Sequence, residues 1–257
     1  MDLLQAIALG IVEGITEFLP VSSTGHLVLT ANLLHLPQTA FVKTFEIAIQ
    51  LGAILAIVAI YRKTLISNIE AWKRVLAAFI PTAIVGLFLY KFIKSVLIGN
   101  TAITLLALLV GGVALIVLEL VYKEQKYHAE SIEKIPLRKA VCIGLFQSLS
   151  VIPGVSRAAA SIIGGLFMGA KRTVAVEFSF FLAIPTIFAA TALDLKESNL
   201  QFSSNELFVA LVGFVVSFFV ALIAVRYFLK FIMRNNFIGF GIYRIMLAII
   251  YYLLLLR

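Results

Sequence analysis

Apolar runs long enough to cross a bilayer dominate this chain and leave it few folds to choose from. A helix needs about 20 mostly apolar residues to span the hydrocarbon core. Such runs are read at Phe41 to Arg62, Trp72 to Lys94, Thr101 to Tyr122, Val174 to Leu195, Leu207 to Lys230 and Phe237 to Leu256. With 62% hydrophobic and 13% charged residues and a mean hydropathy of +1.07, the composition excludes the soluble globular class, where about a quarter of residues are charged. The expectation is an all-α integral membrane protein, one membrane domain over residues 1–257, with six transmembrane helices. A formal charge of +8 suits nucleic acid in other settings. Here the basic residues fall in short clusters between apolar runs, the pattern that sets membrane topology, so no nucleic-acid partner is expected. Cys142 is alone and excludes an intramolecular disulfide framework. The N-terminus has no basic region and carries Glu13 where a signal peptide would stay apolar, so it is expected to remain on the mature protein.

Two further regions are built differently. Leu3 to Leu19 followed by Ser22 to Leu36, and Leu137 to Ile152 followed by Ser156 to Met168, each read as two short helices joined through a Pro-containing polar turn. Segments this short suit re-entrant helix pairs better than full spans, with short tilted crossing helices as the alternative. Each region heads a half of similar layout, the first leading into FEIAIQLGAILA with Glu46 and the second into EFSFFLAIP with Glu177. An internal duplication follows, with halves 1–122 and 137–257 joined by a polar linker at 123–136. Counting Lys and Arg by loop gives fourteen on one side, among them Arg62, Lys63, Lys126, Lys139 and Arg234, against five on the other. The richer side is expected to be cytoplasmic. Both termini then lie outside, the repeat is inverted, and the two polar turns dip in from opposite faces to meet near the midplane.

The most expensive polar residues lie in EGITEFLPVSSTGHL, Glu13 to Leu27. An ionised side chain at the centre of a membrane helix costs about 2.5–3.5 kcal/mol on insertion scales, so such a cluster is read as a functional site. Ser22 and Ser23 after Pro20, and Ser156 after Pro153 and Gly154, stand at the starts of the two second helices. Helix N-termini bind anions, phosphate above all, although plain N-capping explains one serine per helix. Arg157, flanked by apolar sequence, needs an anionic partner: a phosphate, for which its planar fork is suited, or Glu13 or Glu17. Glu13 and Glu17 are four apart and share a helix face, where their repulsion calls for a hard divalent cation such as Mg²⁺ or Ca²⁺, or for a shared proton. His26 is three residues after Ser23 and four after Ser22, which allows a Ser–His pair with the serine as nucleophile, or a histidine that takes the phosphoryl group itself. Glu46, Glu177, Gln50 and Gln147 are read as structural, satisfying the backbone of the turns. A transporter or flippase built on the same inverted repeat would need the arginine and the helix ends but no nucleophile.

These motifs resemble those of the bacterial undecaprenyl-pyrophosphate phosphatases, integral-membrane enzymes also associated with bacitracin resistance. EGITE, FLPVSSTGHL and PGVSR carry the resemblance, and KTFEIAIQLGAILA, EFSFFLAIP and TALDL extend it over nearly the whole chain. The family continues after the arginine with Ser, Gly, any residue and Thr, where this chain has Ala158, Ala159, Ala160 and Ser161. The resemblance implies hydrolysis of undecaprenyl pyrophosphate on the outer face of the cytoplasmic membrane, which recycles the lipid carrier for peptidoglycan synthesis. The expected catalytic residues are Ser23, His26, Glu17 and Arg157. Ser22, Thr24, Ser156, Arg157 and Ser161 are expected to bind substrate, and Glu13 and Glu17 to hold the divalent ion. Membrane lipids are the expected surroundings, and a homodimer is compatible with a sequence that carries no signal of oligomeric state.

Overall fold

The computed structural model describes residues 1–37, 39–92, 97, 100–197 and 203–255. Among them are ten α-helices: α1 (Leu3–Thr16), α2 (Ser23–Leu33), α3 (Ala40–Ser67), α4 (Ile69–Phe92), α5 (Thr101–Val121), α6 (Leu137–Ser148), α7 (Arg157–Phe167), α8 (Arg172–Glu197), α9 (Ser204–Ile232) and α10 (Ile238–Leu255). Short 3-10 turns at Ile132–Lys134 and Leu149–Val151 and an isolated bridge between Ala129 and Ala170 complete the regular structure. Five helices, over Ala40–Ser67, Ile69–Tyr90, Thr101–Val121, Arg172–Asp194 and Ser204–Ile232, are long and apolar enough to cross a membrane. The sixth expected run corresponds to α10, which is shorter. Its last expected residue, Leu256, and the Lys94 end of the second run lie outside the described residues. Large apolar side chains cover the outside, with Phe88 86% exposed and Leu4 76%. In water such a surface would aggregate. An all-helical chain with this exterior has the make-up of a multi-pass membrane protein.

Local chemistry sets the helix ends. α1 opens on a capping box in which Asp2 accepts from the Gln5 N–H and the Gln5 side chain accepts from the Asp2 N–H, both at 2.8 Å. It stops short of Pro20, which has no N–H to continue the ladder. The Ser22 hydroxyl accepts from the Gly25 N–H at 3.4 Å to start α2, and the Ser156 hydroxyl accepts from the Ala159 N–H at 3.1 Å to start α7. Both serines take the same backbone shape, with φ of 73° and 75°, a region few residues other than glycine enter.

The short helices are held by long ones distant in sequence. α1 packs on α9 and α6 on α4, while α5 pairs with α10, α3 with α9 and α7 with α8. Glycine permits the closest of these approaches. A Cβ at Gly10 would stand 2.8 Å from the Gly213 carbonyl oxygen, and one at Gly144 would collide with that of Ala78. Hydroxyls bond across the same contacts, Ser217 donating to Ile49 O at 2.7 Å and Thr82 to Gly144 O at 3.1 Å. Small residues and interhelical hydrogen bonds are what fasten helices where lipid removes the hydrophobic drive. The expected hydrogen bonds from Glu177 and Gln147 to the turns are absent: Glu177 accepts from Tyr61 at 3.2 Å, and Gln147 donates to Thr82 at 3.1 Å and Thr186 at 3.0 Å. Their partners are instead hydroxyls on neighbouring helices.

Candidate active site

The turn after α1 and the turn before α7 face each other across a cavity of about 130 Å³. Its polar lining comes from Glu17, Ser22, Ser23, Thr24, Gln50, Ser150, Ser156 and Arg157, and its apolar lining includes Ile152 and Ile187. Six of the expected site residues therefore share one chamber, although Ser156 and Arg157 are separated from the other four by more than half the chain.

Glu17 is the hub. Its Oε1 accepts from Arg157 Nη2 at 3.0 Å and its Oε2 accepts from the Ser23 hydroxyl at 2.5 Å. Arg157 Nη2 also donates to Glu17 O at 3.2 Å, and Nη1 to Ser179 O at 3.0 Å. The guanidinium lies over the Phe18 ring, 5.8 Å from its centroid. Of the two partners open to Arg157 in the sequence, the carboxylate holds it here, through an ion pair with both side chains about nine-tenths buried. Three of the five N–H donors of Arg157 are spent in this way, and Nε is buried with no partner.

His26 is placed otherwise than expected. Its Nδ1 lies 2.8 Å from Ser22 O and its Nε2 2.7 Å from the Tyr243 hydroxyl, with the two rings stacked at 5.6 Å. A carbonyl only accepts, so Nδ1 carries the proton and Nε2 accepts from Tyr243. The Ser–His pair does not form, because the Ser23 hydroxyl donates its hydrogen bond to Glu17 and His26 turns toward α10, off the cavity lining. Ser161 also departs from its expected place. It is fully buried, donates to Arg157 O at 2.8 Å with the Ser179 hydroxyl 2.7 Å from its oxygen, and lines no part of the chamber. Its hydroxyl back-bonds to the preceding helical turn, the habit of serine inside helices.

Glu13 is fully buried beside Glu17, off the lining, and neither of its carboxylate oxygens has a hydrogen-bond partner. A buried carboxylate with no donor requires a cation or a proton. Among the described residues no cluster of three or more His, Cys, Asp or Glu side chains could hold a metal ion. The two partnerless oxygens of Glu13, beside the Glu17 carboxylate, are the acceptors open to such a cation or proton.

Sequence reasoning gave Gln50 a structural task and passed over Ser150 and Tyr243. Gln50 and Ser150 line the chamber. A polar residue on the helix that follows the first turn was the available signal for Gln50, and Ser150 had none beyond lying near Pro153.

An integral membrane protein with a small anion-suited chamber among its helices, lined by an arginine, a carboxylate and five hydroxyl side chains, is the class that fold and site define. Within that class the chain belongs to the bacitracin resistance protein BacA family, whose family model matches residues 6–250. It is 53% identical over 247 residues to an undecaprenyl-diphosphatase of Aquifex aeolicus, covering 96% of each chain. It is 50% identical over 256 residues to one of Persephonella marina, with both chains covered completely, and 41% identical over 257 residues to one of Methanococcus aeolicus, again over the whole of both. The resemblance carried by EGITE, FLPVSSTGHL and PGVSR is borne out.

Proposed function

We propose that this protein hydrolyses undecaprenyl pyrophosphate to undecaprenyl phosphate and inorganic phosphate, returning the carrier lipid to peptidoglycan synthesis and conferring bacitracin resistance. The observation that carries the chemistry is the short hydrogen bond from Ser23 to Glu17 beside Arg157 on one cavity wall.

The Ser23 oxygen attacks the terminal phosphorus while Glu17, already accepting that hydroxyl, takes the proton. Protonation of Glu17 loosens its hold on Arg157, whose fork then turns to the phosphoryl oxygens as charge develops on them. The bond from phosphorus to the bridging oxygen breaks as undecaprenyl phosphate leaves; water then attacks the phosphoserine, Glu17 returns its proton to the Ser23 oxygen, and phosphate departs with the protons of the water. Glu17 thus takes the role of base that the sequence assigned to His26, which instead fastens α2 to α10 through Tyr243. A divalent ion, Mg²⁺ or Ca²⁺, bound by Glu13 and Glu17 would neutralise charge on the pyrophosphate. Ser22, Thr24 and Ser156 bind the headgroup with the free N–H groups of the two helix starts. The chamber is too small for the hydrocarbon chain. An apolar groove of about 780 Å³ lined by Ile15, Leu19, Val220, Ile223, Tyr227 and Phe231 begins beside the same turn and receives the tail.

The wider architecture we infer is an inverted repeat in the cytoplasmic membrane, with α1–α2 and α6–α7 as re-entrant pairs, α10 as the sixth span, and the chamber and both termini on the outer side. Three observations support it. α1 packs on α9 as α6 packs on α4, an exchange between halves. Ser22 and Ser156 share an unusual backbone shape. Ala6, Gly10 and Ser22 match Ala140, Gly144 and Ser156 in register without a gap.

The test is phosphate release from undecaprenyl pyrophosphate by purified protein in detergent, where no compartments exist. Wild-type protein is expected to turn over, and Ser23→Ala and Arg157→Lys to release little. Binding without release by the wild type would favour a carrier instead.

A further inference from the structure

The chemistry above leaves one buried cation unused. Arg244 of α10 is fully buried and takes part in no ion pair among the described residues. Its guanidinium has five N–H donors, and all five are spent on backbone carbonyls. Nε donates to Leu108 O at 3.3 Å, Nη1 to Pro20 O at 3.2 Å and Val155 O at 3.0 Å, and Nη2 to Ala107 O at 3.1 Å and Gly154 O at 2.8 Å. Pro20 belongs to the turn before Ser22 and Ser23, Gly154 and Val155 to the turn before Ser156 and Arg157, and Ala107 and Leu108 to α5. One side chain therefore ties both turns to each other and to a long helix. The fold makes room for it at Gly111, where a Cβ would collide with Nη2 and Cζ.

The direction of these bonds matters for an anion. In a planar trans peptide the carbonyl and the following N–H point opposite ways. Turning the Val155 carbonyl onto Arg244 therefore sends the Ser156 N–H away from it. That N–H has no hydrogen-bond partner among the described residues, and Ser156 lines the chamber. The Pro20, Gly154 and Val155 carbonyl oxygens, which would repel phosphate, are drawn onto Arg244, and the Ser156 N–H, which would attract it, is left on the other side of its peptide.

We propose that Arg244 is a positioning residue for the pyrophosphate headgroup. It fixes the spacing of the two serine-bearing turns and keeps their carbonyl dipoles off the anion. This inference rests on the pyrophosphate reading of the chamber.

Arg244→Lys keeps the charge with at most three donors, and Gly111→Ala displaces the guanidinium without altering it. Both variants, purified in detergent, are compared with wild type for thermal unfolding, for kcat and KM on undecaprenyl pyrophosphate, and for inhibition by inorganic pyrophosphate, which probes the headgroup site alone. The expected result is folded protein whose kcat drops at least tenfold per folded molecule and whose inhibition by pyrophosphate weakens at least tenfold. Inhibition by a prenyl alcohol, which probes the tail groove, is expected to stay within twofold. Wild-type kcat and pyrophosphate inhibition in a folded variant would overturn the proposal, as would losses that only track the unfolded fraction. If Arg244→Lys does not fold, Gly111→Ala carries the test. Failure of the phosphatase reading itself shows separately, as a wild-type protein that releases no phosphate. Pyrophosphate binding by calorimetry then still reports whether Arg244 shapes the anion site.

Discussion

Glu17 serves two partners at once, Arg157 through one oxygen and Ser23 through the other, and it is the residue least open to substitution. Glu17→Gln keeps the shape but accepts no proton, so kcat is expected to fall about 10²- to 10⁴-fold, the usual worth of a positioned base. Phosphate release under saturating substrate measures it. His26 makes the opposite case. Its ring faces Tyr243 rather than the chamber, so His26→Phe should retain far more activity than Ser23→Ala, and Tyr243→Phe should reproduce its modest defect. A His26→Phe enzyme as inactive as Ser23→Ala would return the histidine to the role of base. The partnerless oxygens of Glu13 lead to a third expectation. Chelator should abolish turnover, Mg²⁺ or Ca²⁺ should restore it, and Glu13→Gln should raise the concentration needed for half-maximal recovery.

At the scale of elements, most of the layout was legible. The short helices read at Leu3 to Leu19 and Ser156 to Met168 became Leu3–Thr16 and Arg157–Phe167, because proline, serine caps and length are local signals. The clustering of Glu17, Ser23 and Arg157 could be inferred, since each was costly alone. The orientation of side chains could not. Helical spacing put His26 and Ser23 within reach, yet it carries no information on Tyr243, which approaches from the far end of the chain. Arg244 was illegible for the same reason, as its partners are carbonyls and every residue has one. Close helix contact was also hidden, although it can be tested. Gly144→Ala must push against the Ala78 backbone and is expected to destabilise by about 1–3 kcal/mol, the range for overpacking. Gly86→Ala on α4 meets nothing within 4 Å and should stabilise by up to about 1 kcal/mol, since alanine favours helix. Thermal unfolding in detergent should give the two shifts opposite signs.

Across the whole molecule, one end is closed by charge. Glu119 at the end of α5 accepts from Arg172 at 2.7 Å and 3.2 Å and from the Phe237 N–H at 3.1 Å, joining the ends of three helices. The linker is pinned beside it, with Ala129 N–H donating to Gly169 O at 2.9 Å and Lys171 N–H to Ala129 O at 3.0 Å. If this basic end faces the cytoplasm, a cysteine at Tyr127, which is 84% exposed, should resist a membrane-impermeant thiol reagent in intact cells, while Asp2→Cys should react. Both are made in a Cys142→Ser background, and labelling from the same side would rule out the inverted arrangement. Ser22 and Ser156 set a different limit on the molecule as a whole. Holding a residue other than glycine at their φ of 73° and 75° costs about 1–3 kcal/mol each, and glycine would recover much of it. A laboratory selection for heat resistance alone should therefore drift toward glycine at both positions, and the survivors would be hardier proteins with two fewer hydroxyls to grip a phosphate.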